Sequence, residues 1–197
     1  ISTGEGDEYG PSMSRMSSLN RVLSRNPSIN EKGYMKLEDL KWDGDCIGDE
    51  ICLQDDGYVV ASIHEEDEAS GNYSVCATLV YDLDEGPNNT GNYFEIEVLE
   101  SEECALGVGL GDPSDMDLEE LPGHNSESYG YHGDDGNRYH DSDDRITDVD
   151  WPTWSENDII GCGIDFEKRH IFYTRNGEML GTGFTELHHN QLSPIVG

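Results

Sequence analysis

The stretch from 158 to 184, DIIGCGIDFEKRHIFYTRNGEMLGTGF, leaves little freedom to the fold. It reads as three strands, 158–166, 170–175 and 178–184, with connections too short to hold a helix. The second connection is Asn176-Gly177, the dipeptide favoured in a two-residue type I′ hairpin because both residues tolerate positive φ. A hairpin-linked ribbon of this kind must cover its apolar face with a second layer. Upstream, GYVVASIHE (57–65) and YSVCATLVYDL (73–83) are β-branched and aromatic runs bounded by Gly, Asn and Asp. In NYFEIEVLE (92–100), Phe94, Ile96 and Val98 alternate with Glu95 and Glu97, the period-two pattern of a half-buried strand. CALGVGLGD (104–112) follows, and its glycines at 107, 109 and 111 imply close approach of a neighbouring layer. Short strands at this spacing, with no helical period and no internal repeat between them, predict an all-β antiparallel sandwich.

The 197 residues fit one ordinary domain with an appendage, and 34% hydrophobic residues suffice for one core. A formal net charge of −32 repels nucleic-acid phosphates and anionic membranes and favours basic partners. No apolar run approaches the roughly 18 residues of a membrane span. Five cysteines, an odd number without a CxxC pair, favour a reducing intracellular compartment, with Cys162 as a free buried thiol. The Asn72 and Asn88 sequons are no more than chance provides. The start at Ile1 reads as a fragment of a longer protein.

Residues 1–33 are rich in Ser, Asn, Gly and Arg and poor in aromatics. They form a low-complexity extension that cannot offset its own ordering entropy and needs a docking surface to be ordered. Three Arg-x-x-Ser spacings end at Ser18, Ser24 and Ser28, weak candidates for phosphorylation, each modification adding about −1.5 to −2 of charge. The remainder, 34–197, is the sandwich.

Five blocks carry a resemblance: NYFEIEVLE, ALGVGLGD, LPGHNSESYGYHGDDGNRYH, DIIGCGIDFEKRHIFYTRNGEMLGTGF and LSPIVG. Their order resembles the SPRY domain family, and the LPG…SYGYHGDDGN block is most similar to the branch of the Ran-binding-protein-9 scaffold proteins. The resemblance covers 92–197 and, more loosely, 36–91. It implies a bent two-sheet antiparallel sandwich, jelly-roll-like and concanavalin-like, that binds proteins through loops at one rim and does no chemistry. It also marks departures. RYHDSDDRITDVDWPTW stands where relatives have a glycine-rich stretch, and Asn157 where a glycine is usual. The chain stops at Gly197 where relatives continue to a strand ending near Asn-Phe-Gly, so that strand is missing or replaced by another segment. No LisH or CTLH segment accompanies the domain.

YGYHGDDGNRYHD (129–141) poses the chemical question. His132, Asp134, Asp135 and His140 offer mixed ligands for a divalent ion, but Asp134-Asp135-Gly136-Asn137 is a strong turn sequence. The turn reading is preferred, with Tyr129 and Tyr131 on a strand, and no metal or cofactor is expected. No nucleophile triad or phosphate loop is present, since GVGLGD lies inside a strand. With 43 acids, a carboxylate pair at glycosidase spacing arises by accident, and the acidic runs 111–120 and 141–150 lack EF-hand spacing. As the resemblance implies, the expected function is a non-catalytic interaction module, an adaptor or scaffold within a larger complex, binding a protein segment and neither nucleic acid nor membrane. Alternatives are a structural subunit of a stable assembly, ciliary or cytoskeletal for example, and a carbohydrate-active or metal-binding sandwich enzyme. The candidate rim is the divergent segment: Tyr139, Asp141, Asp143, Asp144, Asp148, Asp150, Trp151 and Trp154. Its carboxylates would steer basic partners and an exposed tryptophan would anchor them, with at least one of the two tryptophans assigned to the core.

Overall fold

The computed structural model describes residues 18–25, 40–49, 51–64, 71–86, 92–101, 105–142, 144–146 and 148–197. Among them the only helical element is a 3-10 turn at Asp55–Gly57. The strands are β1 (Ser18–Arg25), β2 (Trp42–Ile47), β3 (Ile51–Gln54), β4 (Val59–His64), β5 (Val75–Ala77), β6 (Tyr81–Asp82) and β7 (Tyr93–Glu100). They continue as β8 (Gly107–Gly111), β9 (Ser128–His132), β10 (Arg138–Tyr139), β11 (Ile159–Asp165), β12 (His170–Arg175), β13 (Glu178–Phe184) and β14 (Gln191–Val196). One sheet has the order β13-β12-β11-β7-β1-β4-β3 and the other β10-β9-β8-β14-β5-β2, with β6 paired to β14. Each recorded pairing is antiparallel. This is the all-β antiparallel sandwich expected from the strand pattern.

The core lies between the sheets. Phe94, Ile96 and Val98 of β7, Ile160, Cys162 and Ile164 of β11, and Ile171 and Tyr173 of β12 are fully buried. They belong to one apolar cluster with Val108, Leu110, Tyr129 and Tyr131 from the facing sheet. The alternation in β7 thus translates directly into burial, with Glu95 and Glu97 half-buried on the other face. Cys162 is the buried free thiol the sequence suggests. The 73–83 run divides into β5 and β6, both paired with β14, and between them the Thr78 N–H donates to the Lys41 carbonyl at 2.9 Å.

The glycines of β8 admit close neighbours. A Cβ at Gly109 would overlap the carbonyl oxygen of Tyr129 on β9, and one at Gly107 would press on the Pro122 ring. Strand β1 is formed by residues 18–25 of the serine-rich extension and pairs on both sides, with β4 and with β7. Its register sets Arg21 opposite Glu100 and Arg25 opposite Glu95. Ser18 and Ser24 are positions on this strand, whereas Ser28 lies outside the described residues.

The β12–β13 turn has Asn176 at φ 51° and Gly177 at φ 80°, the geometry its sequence predicts. Open space surrounds the Cα of Gly177. Gly177→Val therefore loses stability through backbone strain alone, by about 1–2 kcal/mol. Urea denaturation measures this, and a variant as stable as the parent would show that the turn tolerates the branched side chain by shifting elsewhere.

Candidate functional site

The histidine-aspartate stretch is the turn joining β9 to β10. The Gly136 N–H donates to the His132 carbonyl at 3.2 Å, and the His132 N–H to the Asn137 carbonyl at 2.9 Å. Asp135 holds the turn: its carboxylate accepts from the Asn137 N–H at 2.9 Å and from the Tyr139 hydroxyl at 2.6 Å. His132 Nε2 lies 2.8 Å from the Pro122 carbonyl and His140 Nδ1 lies 2.8 Å from the Ser128 carbonyl. Both histidines thus have structural partners. Among the described residues, no group of three His, Cys, Asp or Glu side chains is placed to hold a metal ion.

Burial holds the His132 imidazole below the ordinary value of 6.5, although its bond to Pro122 pulls the other way. The folded form therefore resists a proton that the unfolded chain accepts, and stability declines as pH falls below about 6.5. His132→Gln, which retains a donor for Pro122, should flatten that decline between about pH 6.5 and 5. Denaturation midpoints measured across this range test it, and identical slopes in the two proteins would remove His132 from the acid response.

The divergent segment is divided by the structure. Asp141, Asp144, Asp148 and Asp150 are exposed, and Asp143 lies outside the described residues. The three aromatic residues are not at the surface: Tyr139, Trp151 and Trp154 are 8%, 9% and 4% exposed. The expectation of an exposed tryptophan anchor is corrected on this point, and the reason is local packing. Trp151 meets Tyr131 and Tyr173 edge-on, with ring centroids 5.2 and 5.6 Å away. The Arg138 guanidinium lies 4.7 Å from the centre of the same ring, a cation–π contact in a buried setting. Trp154 tilts against Tyr131 at 6.0 Å, and its backbone N–H donates to the Gly133 carbonyl at 2.9 Å. The Tyr131 hydroxyl donates to the Pro152 carbonyl. Both tryptophans therefore fold the acidic loop back onto the end of the sandwich. Arg138, itself buried, donates to the Gly183 carbonyl at 2.8 Å and pairs with Asp148. It ties this loop to β13.

On the groove-facing side of β13 the surface is concave. An open groove of about 940 Å³ is lined by Leu83–Gly86, Asn92, Asp165–Lys168, His170, Phe172, Met179, Gly181 and Thr182. Phe172 stacks on Tyr93, with centroids 5.9 Å apart and planes within 6°. Met179 is 60% exposed, an unusual position for a large apolar side chain. Four carboxylates line the same groove, as do Lys168 and His170. Asp165 pairs with Lys168 at 2.7 Å and Asp84 with Arg169 at 3.2 Å, while Glu85 and Glu167 stand exposed. No sequence signal gathered these residues, which come from strands and turns about 80 positions apart. The exposed methionine beside the Asn-Gly turn was the one available clue.

The model of the SPRY domain matches residues 92–197. Over 106 residues the chain is 39% identical to Ran-binding protein 9 of Xenopus tropicalis, which covers 53% of this chain but only 19% of that protein. It is therefore similar to a minor part of that relative. A crystal structure of a human SPRY domain superimposes with a TM-score of 0.56 at 27% identity, covering 75% of this chain and 88% of that one. The SPRY domain of human HERC1 shares the fold, with a TM-score of 0.60 at 18% identity, over 79% of this chain and 87% of that one. The antiparallel sandwich and a match over more than half of its length have one conclusion: this chain belongs to the SPRY domain family, a family of protein-interaction modules.

Proposed function

We propose that this chain is a non-catalytic adaptor that holds an extended segment of a partner protein in the groove beside β13. The observation that carries the reading is an open groove whose lining combines apolar Phe166, Phe172 and Met179 with the carboxylates of Asp84, Glu85, Asp165 and Glu167. Such a lining takes one aliphatic or aromatic side chain, and large buried apolar contacts dominate affinity. The carboxylates lining the groove and the net charge of −32 favour Lys or Arg flanking that anchor. The similarity to Ran-binding protein 9 supports an adaptor role. Among the described residues, no helix is long and apolar enough to cross a membrane.

Selection from a displayed random-peptide library tests the proposal, followed by titration of a selected peptide. Enrichment of an apolar residue beside Lys or Arg is expected. Met179→Glu, at an exposed position, should weaken binding about tenfold or more, and Glu167→Lys should slow association and flatten its salt dependence. Selected peptides that are acidic, or that bind both variants as they bind the parent, would place the binding surface elsewhere.

A further inference from the structure

Strand β2 is an edge of its sheet and meets β5 at only two recorded positions, Trp42 with Ala77 and Ile47 with Val75. The register shifts between them. Cys46 directly precedes Ile47 and Cys76 directly follows Val75, so both cysteines flank that pair where the ladder breaks off. Cys46 packs against a small satellite core formed by Cys76, Met116 and Ile195, as does Leu118. The Cys76 thiol lies 3.8 Å from the Met116 sulfur. Both cysteines are free thiols, Cys46 half-buried and Cys76 fully buried.

We propose that Cys46 and Cys76 form a reversible disulfide that staples the β2 edge to β5 under oxidising conditions. Access and reactivity divide the roles. Cys46 reaches solvent, whereas Cys76 does not. The Cys76 thiol beside it holds Cys46 below its ordinary value, and the same contact together with burial pushes Cys76 up. Cys46 is therefore the attacking thiolate and Cys76 the resolving thiol. With a hydroperoxide as oxidant, the Cys46 sulfur attacks the distal oxygen and the O–O bond breaks. The departing alkoxide, or hydroxide when the oxidant is hydrogen peroxide, takes up the proton that Cys46 released, and Cys46 is left as a sulfenic acid. The Cys76 sulfur then attacks the Cys46 sulfur, the S–O bond breaks, and the hydroxyl leaves as water with the Cys76 proton. Two thiols lose two electrons and one hydroperoxide is reduced. A thiol reductant such as glutathione reverses the linkage by exchange.

The bond closes a loop of roughly 30 residues at the point where the β2–β5 ladder is interrupted, which restricts the unfolded chain. The test treats the purified chain with hydrogen peroxide, blocks remaining thiols with N-ethylmaleimide and maps peptides without reduction. A Cys46–Cys76 cross-link is expected, with a thermal midpoint raised by about 5–10 °C and returned by dithiothreitol. Cys46→Ser should abolish both effects, and a Cys52→Ser/Cys104→Ser background should preserve both. Because Cys76→Ser alters a buried position, Cys76→Ala serves as the second variant and should leave Cys46 as a sulfenic or sulfinic acid. Recovery of both residues as maleimide adducts after peroxide, or cross-linking through another pair, would overturn the proposal. A cross-link with no rise in midpoint would overturn the stapling role.

Discussion

Trp154→Ala is expected to cost about 3–5 kcal/mol of folding stability, the range for removing a buried Trp or Phe side chain. The ring is 4% exposed and packs against Tyr131 in the same apolar cluster as Trp151 and Tyr173. Gly133 is glycine at the point of contact, since a Cβ there would press on the Trp154 ring. Truncation leaves a cavity bordered by backbone, which has little freedom to collapse into it. Urea denaturation followed by fluorescence measures the loss. A cost below about 1 kcal/mol would show that the ring contributes little to the core and would restore it as a candidate anchor. A weaker binding signal from this variant, taken alone, would report unfolding of the loop platform and not removal of a contact with a partner.

Asp158→Ala is expected to cost about 3 kcal/mol, because it removes the centre of a charged network and leaves its donors unpaired. The Asp158 carboxylate accepts from Arg175 Nε at 3.2 Å and Nη2 at 3.0 Å. It also accepts from Asn176 Nδ2 at 2.8 Å and from the Ser155 N–H at 2.9 Å. Asn176 in turn accepts from the Ile159 N–H at 2.8 Å, so the carboxylate fixes the start of β11 and the β12–β13 turn together. Burial alone would raise the pKa of Asp158, yet the bonds from Arg175, Ser155 and Asn176 outweigh it and the net shift is downward. The folded form then binds its proton more weakly than the unfolded chain. Its stabilisation is complete above the ordinary carboxylate range and is lost as pH falls below about 4 through the folded value. Denaturation at pH 7 and pH 3 checks both parts. The variant should differ strongly from the parent at pH 7 and less at pH 3. An equal gap at both values would mean that the ionised carboxylate is not what holds the network.

Asn157, next to this aspartate, has φ 69°. That explains why an asparagine serves where the family commonly has glycine: both tolerate the left-handed region, and most other residues do not. The departure noted from the sequence is thus conservative in backbone terms.

What the sequence determined by itself is the part of the molecule governed by local physics. The period-two pattern of β7 assigned Phe94, Ile96 and Val98 to the core because successive side chains on a strand point to opposite faces. The Asn176-Gly177 turn followed from the φ values those two residues accept, and the two hairpin strands 170–175 and 178–184 followed from the turn. The Asp134–Asn137 turn was legible for the same reason. Tertiary structure alone decided what depends on distant partners. DWPTW has no periodicity to reveal which side is buried, and only the nearby Tyr131, Tyr173 and Arg138 drew both tryptophans inward. Residues 18–25 are too polar for a strand by composition, yet a strand flanked on both sides can satisfy its backbone donors and acceptors through its neighbours. The groove brings Asp84 beside Arg169, 85 positions apart, and includes Met179 in its lining. Such a surface comes from the order of strands in the sheets, and no local pattern encodes that order.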